Sequence, residues 1–181
     1  VDRSKGLPTV GDLPDISFPA VQRARLGNGL NVVLAERPAI PVVTLSLQFD
    51  AGYAADAGRK PGTASFTLEM MDESTRSRSA LEIDAEADAL GAEINTESDL
   101  DTSRVTLSAL KEHLPASIEL FADVVRNPAF ATDEMERQRS RWLAAIEREK
   151  NEPVTLALRT LPPLIYGAEH AYGIPFTGSG T

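Results

Sequence analysis

The sequence contains no cysteine and only two histidines, His113 and His170, in 181 residues. Disulfide frameworks, thiolate metal sites and cysteine nucleophiles are therefore excluded. So is any scheme that needs three imidazoles from this chain. Aromatic residues are scarce, at 6%, and no apolar run approaches the ~18 residues of a membrane-spanning helix. Basic charge is in deficit: 18 Lys and Arg stand against 27 Asp and Glu, a net charge of −9. A nucleic-acid or anionic-membrane partner needs a basic face, so neither is expected. The remaining composition, 42% hydrophobic and 25% charged, is that of a globular domain. No signal peptide is visible, since Val1-Asp-Arg-Ser-Lys5 is not followed by an apolar stretch. The chain has no initiator Met and reads as a fragment of a longer protein.

Residues 1–20 carry Pro8, Gly11, Pro14 and Pro19, the composition of a linker or extended lead-in. Residues 21–181 read as one domain. Two short β-branched runs, Val21 to Leu26 and Leu30 to Ala35, flank Gly27-Asn-Gly29 and predict a hairpin. Val42 to Phe49 alternates as a half-buried strand. A loop over Asp50 to Lys60 precedes a helix from about Pro61 to Glu73, with Pro at its first position. Ser79-Ala-Leu-Glu82 is a capping box. It opens a helix to about Leu90 with Leu81, Ala85 and Ala89 on one face, closed by Gly91. Strands are expected at Glu93 to Ser98 and Ser103 to Leu110. Further helices are expected at Leu114 to Arg126, carrying Ile118, Phe121 and Val125, and from Thr132, as the cap, to about Lys150. Met135, Trp142, Ala145 and Ile146 are its packing residues. A last helix runs from about Val154 to Tyr166. The pattern is α+β, with a mixed, mostly antiparallel sheet covered by helices on one face.

Several segments, in this order, resemble the insulinase (pitrilysin) family of zinc peptidases, which includes mitochondrial processing peptidase. Leu26-Gly-Asn-Gly-Leu-Asn-Val32 is similar to the family's first hairpin, L-x-N-G-L-x-V. Gly62-Thr-Ala-Ser-Phe-Thr-Leu-Glu-Met-Met-Asp-Glu-Ser-Thr75 is similar to its metal-site helix, G-x-A-H-F-x-E-H-M-x-F-x-G-T. Arg78 to Ile83, Leu90 to Asn95, Phe121 to Phe130 and His170-Ala-Tyr-Gly173 follow as in the family. In active members, H-x-x-E-H supplies two imidazoles to Zn²⁺ and the Glu that activates water. Aligned on Gly62, Ala64, Phe66 and Thr75, those places hold Ser65, Leu68 and Glu69. A further Glu ligand would come from a segment like V-V-L-E-E-I. Arg141-Trp-Leu-Ala-Ala-Ile146 puts Ala144 and Ala145 there.

A catalytic zinc needs three protein ligands and an open position. With these residues no catalytic, cofactor or metal site is expected in this chain. The resemblance implies a non-catalytic copy of the peptidase domain, with zinc in a catalytic partner half on the same chain or another subunit. The two would enclose a peptide-holding chamber. Asp50 to Ala54 and Glu93 to Glu97 correspond to the family's substrate-edge strands. A bacterial, periplasmic or exported parent is implied by analogy alone. A full family domain runs further, so an open sheet edge and self-association of the fragment are expected.

Two other functions compete. One is a metal-dependent hydrolase with a rearranged site built on Glu69, Asp72, Glu73 and His170. The other is a stand-alone interaction module. Glu69, Asp72 and Glu73 offer oxygen ligands of the kind Ca²⁺ or Mg²⁺ takes, but a solvated helix end is the simpler reading. Asp99 and Asp101 read as a turn with Asx-type bonds before a metal pair. His113 reads as a helix-start residue and His170 as a loop residue packed on the preceding helix. Met70, Met71 and Trp142 read as packing residues. Ser65 lacks a partner base for nucleophilic work. Gly178-Ser-Gly180 lacks the Lys of a phosphate loop.

Overall fold

The computed structural model describes Gly11 and residues 17–178. Most of the expected lead-in, and the Ser179-Gly180 part of the glycine stretch, lie outside the described residues. The chain divides into two units between Ile40 and Pro41. In the first, β1 (Val21–Arg25) pairs antiparallel with β2 (Asn31–Ala35), Val21 opposite Ala35 and Arg25 opposite Asn31. Its turn closes through Leu26 N–H to Leu30 O (2.9 Å) and Leu30 N–H to Asn28 Oδ1 (3.1 Å). Gly29, at φ 91°, supplies the left-handed residue that this turn requires.

The second unit is built on a three-stranded sheet in the order β3 (Val42–Phe49), β5 (Ser103–Leu110), β4 (Glu93–Ser98), with both pairings antiparallel. The central strand takes the strictest alternation. Val105, Leu107 and Ala109 are buried, and the residues between them are half-buried. Onto this face pack Leu68 and Met71 of α1 (Thr63–Met71) and Phe121 of α3 (Leu114–Arg126). A second cluster joins Ile83 of α2 (Ala80–Leu90) to Leu120 and Val124 of α3. Two long helices follow, α4 (Thr132–Asn151) and α5 (Pro153–Tyr166), then a 3₁₀ turn at Ala171–Gly173. The result is the expected α+β domain.

Several local expectations change. The capping box at Ser79 forms in both directions: Ser79 N–H donates to Glu82 Oε2 (2.8 Å) and Glu82 N–H to Ser79 Oγ (3.4 Å). The helix it opens, however, buries Ile83 and not the Leu81 stripe. Leu81 is 80% exposed, because α2 docks on α3 through Ile83. On α3 the buried set is Ser117, Leu120, Phe121 and Val124, while Ile118 points outward. Thr132 does not cap α4; Ala131 holds the cap position, and Thr132 is already helical. Asp50 to Ala54 is not a strand. Gly52, Tyr53 and Ala54 donate their N–H groups to the carbonyls of Asp101, Asp99 and Leu100, folding this stretch onto the β4–β5 turn. A 3₁₀ turn at Tyr53–Asp56 results.

Candidate functional site

Helix α1 begins later than its proline suggests. Gly62, at φ 93°, is the cap residue and Pro61 lies outside. The missing local cap comes from Asp56, which is buried and accepts from Gly62 N–H (2.9 Å) and Ala64 N–H (3.2 Å). A carboxylate at a helix start also complements the helix dipole. This cap fixes where the motif positions fall.

Ser65 is 3% exposed, and its hydroxyl donates to Phe176 O at 2.9 Å. Leu68 is 7% exposed and belongs to the core with Met71, Val105 and Leu107. Glu69 points to solvent. On α4, Ala144 is exposed and Ala145 half-buried, and neither side chain has a donor atom. Around Ser65 lies an aromatic train. Phe66 meets Trp142 edge-on (5.7 Å between centroids), Trp142 lies tilted to Phe176 (6.2 Å), and Phe176 meets Tyr53 edge-on (5.6 Å). A cleft of ≈220 Å³ remains between α1 and α4, floored by Phe66 and Trp142.

The segment after the 3₁₀ turn is tied down across this region. Trp142 Nε1 donates to Thr177 O (2.9 Å). Arg159 pairs with Glu149 (2.8 Å), and its guanidinium also reaches Thr177 and the Gly178 carbonyl. Gly178 crosses Pro61 so closely that a Cβ there would sit 2.2 Å from Pro61 O. The arrangement is a packed, internally satisfied junction of α1, α4, α5 and the segment Ile174–Gly178. Zinc needs imidazole nitrogens or carboxylates free to turn toward it. The side chains at the motif positions do not fit that requirement: the Ser65 hydroxyl is engaged, Leu68 is in the core, Ala144 and Ala145 end in methyl groups, and the exposed Glu69 carboxylate is one ligand where three are needed.

The other acidic candidates are scattered. Glu73 pairs with Arg137, which also holds Glu134. Asp72 closes α1 in a hollow of ≈310 Å³ beside Ile83, Asp84, Ile94 and Arg137. Burial raises its pKa to about 6, helped by the nearby carboxylates of Glu73, Glu69 and Asp84 and opposed by a hydrogen bond with its own backbone. Among the described residues, the Asp99 and Asp101 side chains accept no Asx-type backbone bond: Asp99 pairs with Arg104 (3.1 Å) and Asp101 accepts from Tyr172 Oη (2.9 Å). His170 stacks on Tyr166 of α5 and accepts Tyr172 N–H on Nδ1 (3.0 Å), the loop packing its sequence suggested. His113 holds the cap position of α3 without a side-chain capping bond and is exposed. Among the described residues, no group of three or more His, Asp or Glu is placed to hold a metal ion.

Sequence reasoning missed Asp56, Phe176 and the Arg159–Glu149 pair. Asp56 lies six residues before Gly62, outside any local capping spacing, and the other two are brought in by the tertiary crossing of the segment after α5. The family model described as insulinase (peptidase family M16) matches residues 31–171. The chain belongs to the insulinase family. It is 29% identical over 165 residues to the mitochondrial-processing peptidase subunit beta of Rattus norvegicus, covering 91% of this chain and 32% of that protein. It is also 29% identical to an uncharacterized zinc protease of Mycobacterium bovis, over 88% of this chain and 36% of that one. A crystal structure of a peptidase M16 inactive domain from Pseudomonas fluorescens superposes with a TM-score of 0.83 at 30% identity, covering 88% of this chain and 39% of that one. This insulinase-family chain thus spans about a third of the length of the curated relatives it matches.

Proposed function

We propose that residues 21–181 are a non-catalytic domain of a zinc metallopeptidase, with residues 1–20 leading into it. The domain pairs with a catalytic insulinase-family domain, on the same chain or a partner subunit, and forms one wall of a chamber that holds peptide. Zinc and the water-activating Glu belong to the partner. One observation carries this reading: the Ser65 hydroxyl is committed to Phe176 O while Leu68 is drawn into the core. The motif helix is thereby turned into a packing element. The inactive-domain description of the Pseudomonas fluorescens neighbour supports the same reading, and the subunit naming of the rat relative supports pairing.

The test is co-expression with an insulinase-family domain carrying an intact H-x-x-E-H helix from the same parent. The two should co-elute and cleave peptide together, and this chain alone should not. Failure to co-elute, or chelator-sensitive cleavage by this chain alone, would overturn the proposal.

A further inference from the structure

Helix α4 carries five basic residues from Arg137 to Lys150 in a chain of net charge −9. Three are neutralised within the fold: Arg137 by Glu73 and Glu134, Arg139 by Glu136, and Lys150 by Glu147. Arg141 and Arg148 are different. Both are exposed, and among the described residues neither has a carboxylate within ion-pair distance. Among the described residues, the Arg141 guanidinium donates to Gln138 Oε1 at 3.4 Å. The nearby Glu152 takes a hydrogen bond from Thr155.

Seven residues are close to two helical turns, so Arg141 and Arg148 project from one face, about 10.5 Å apart along the axis. Between them on that face stand Ala144, exposed, and Ala145, half-buried. The face is a pair of free guanidiniums with a shallow floor between, where a backbone can lie close. A peptide in the polyproline II conformation has three residues per turn and rises about 3.1 Å per residue, so side chains i and i+3 share one face about 9 Å apart. Two carboxylates three residues apart therefore approach the axial spacing of the two arginines, and guanidinium is the cation best shaped to hold carboxylate.

We propose that this face of α4 binds acidic stretches of polypeptide in the polyproline II conformation, with carboxylates at i and i+3 on Arg141 and Arg148. As a statement about the chamber's substrate class it rests on the pairing reading above, because Ala144 and Ala145 occupy the ligand positions that would border the chamber. As a binding property of this chain it stands alone.

The experiment is fluorescence anisotropy at low ionic strength. The probes are labelled Gly/Ser peptides carrying Glu at i and i+3, the same peptides with Gln or Lys, and a peptide with the two Glu residues adjacent. The Glu i,i+3 peptide should bind most tightly and weaken as salt approaches the ~10 Å screening length of 0.1 M. R141Q/R148Q should weaken it about tenfold, as the loss of two exposed ion pairs implies, and R141K/R148K should keep part of the affinity. Circular dichroism checks that both variants fold. Equal affinity for the Gln peptide, equal affinity for the adjacent-Glu peptide, or unchanged binding by R141Q/R148Q would overturn the inference. Acidic-peptide binding by a chain that never pairs with a catalytic domain would leave this inference standing and remove only the chamber.

Discussion

Two side chains on and just after the motif helix report opposite faults of burial. Ser74 Oγ is buried and has no hydrogen-bond partner among the described residues. A buried hydroxyl without a partner carries an uncompensated desolvation penalty. Ser74→Ala should therefore raise unfolding stability by about 1 kcal/mol, measured by urea titration; a loss of stability would mean that the hydroxyl is bonded in solution. Asp72 carries its fault as charge. Its folded pKa, about 6, lies above the ordinary carboxylate value of 3.8, so the folded state holds its proton more tightly than the unfolded one. Its contribution is fully favourable below about pH 4 and is lost as pH rises through 6. Asp72→Asn should stabilise the protein at pH 7 by on the order of 1 kcal/mol and flatten the pH dependence between 4 and 6. A variant whose stability changes with pH as the parent's does would contradict this. Asp123 acts in the other direction at lower pH. Burial alone would raise its pKa, but hydrogen bonds from Asn127, Thr75, Ser77 and Arg78 outweigh it and bring the value down to about 2. The stability it supplies is present above pH 3.8 and fades as pH falls toward 2.

Among the elements, those defined by local chemistry were legible in the sequence. The Gly27-Asn-Gly29 hairpin, the Ser79 capping box and the Ser103–Leu110 strand each depend on residues a few positions apart. What long-range packing decides was not legible. The apolar Leu81 stripe faces outward because Ile83 found Leu120 and Val124. The Asp50–Ala54 stretch became a turn because its N–H groups found three carbonyls of the β4–β5 connection. The motif positions were legible as chemistry, since a hydroxyl and methyl groups are visible in the sequence. The Ser65–Phe176 bond was not, because it spans 111 positions. Gly52 gives this scale its sharpest test. A Cβ there would lie 2.4 Å from Asp99 O, Leu100 O and Thr102 N, all backbone atoms that cannot yield cheaply. Gly52→Ala should cost about 3 kcal/mol, read as a fall in thermal midpoint. A change below 1 kcal/mol would mean that the turn does not pack on the β4–β5 connection as described.

At the scale of the whole molecule, α5 presents an uncharged apolar face. Val154, Leu158, Leu161 and Ile165 recur at helical spacing with Leu164 beside them, and each is at least half exposed. Contiguous patches of this kind mark association surfaces. The chain should self-associate at high concentration by light scattering, and Leu158→Glu with Leu164→Glu should return it to monomer. A monomer at every concentration would contradict this. On the proposed reading α1 is a packing element, its Ser65 hydroxyl bonded to the Phe176 carbonyl and its Leu68 side chain in the core. The most direct measurement is the zinc content of the purified chain after equilibration with zinc and gel filtration, followed by thermal melting with and without chelator. Far less than one zinc per chain is expected, with the same melting midpoint in both conditions. One tightly held zinc per chain, with a midpoint that falls on chelation, would contradict it.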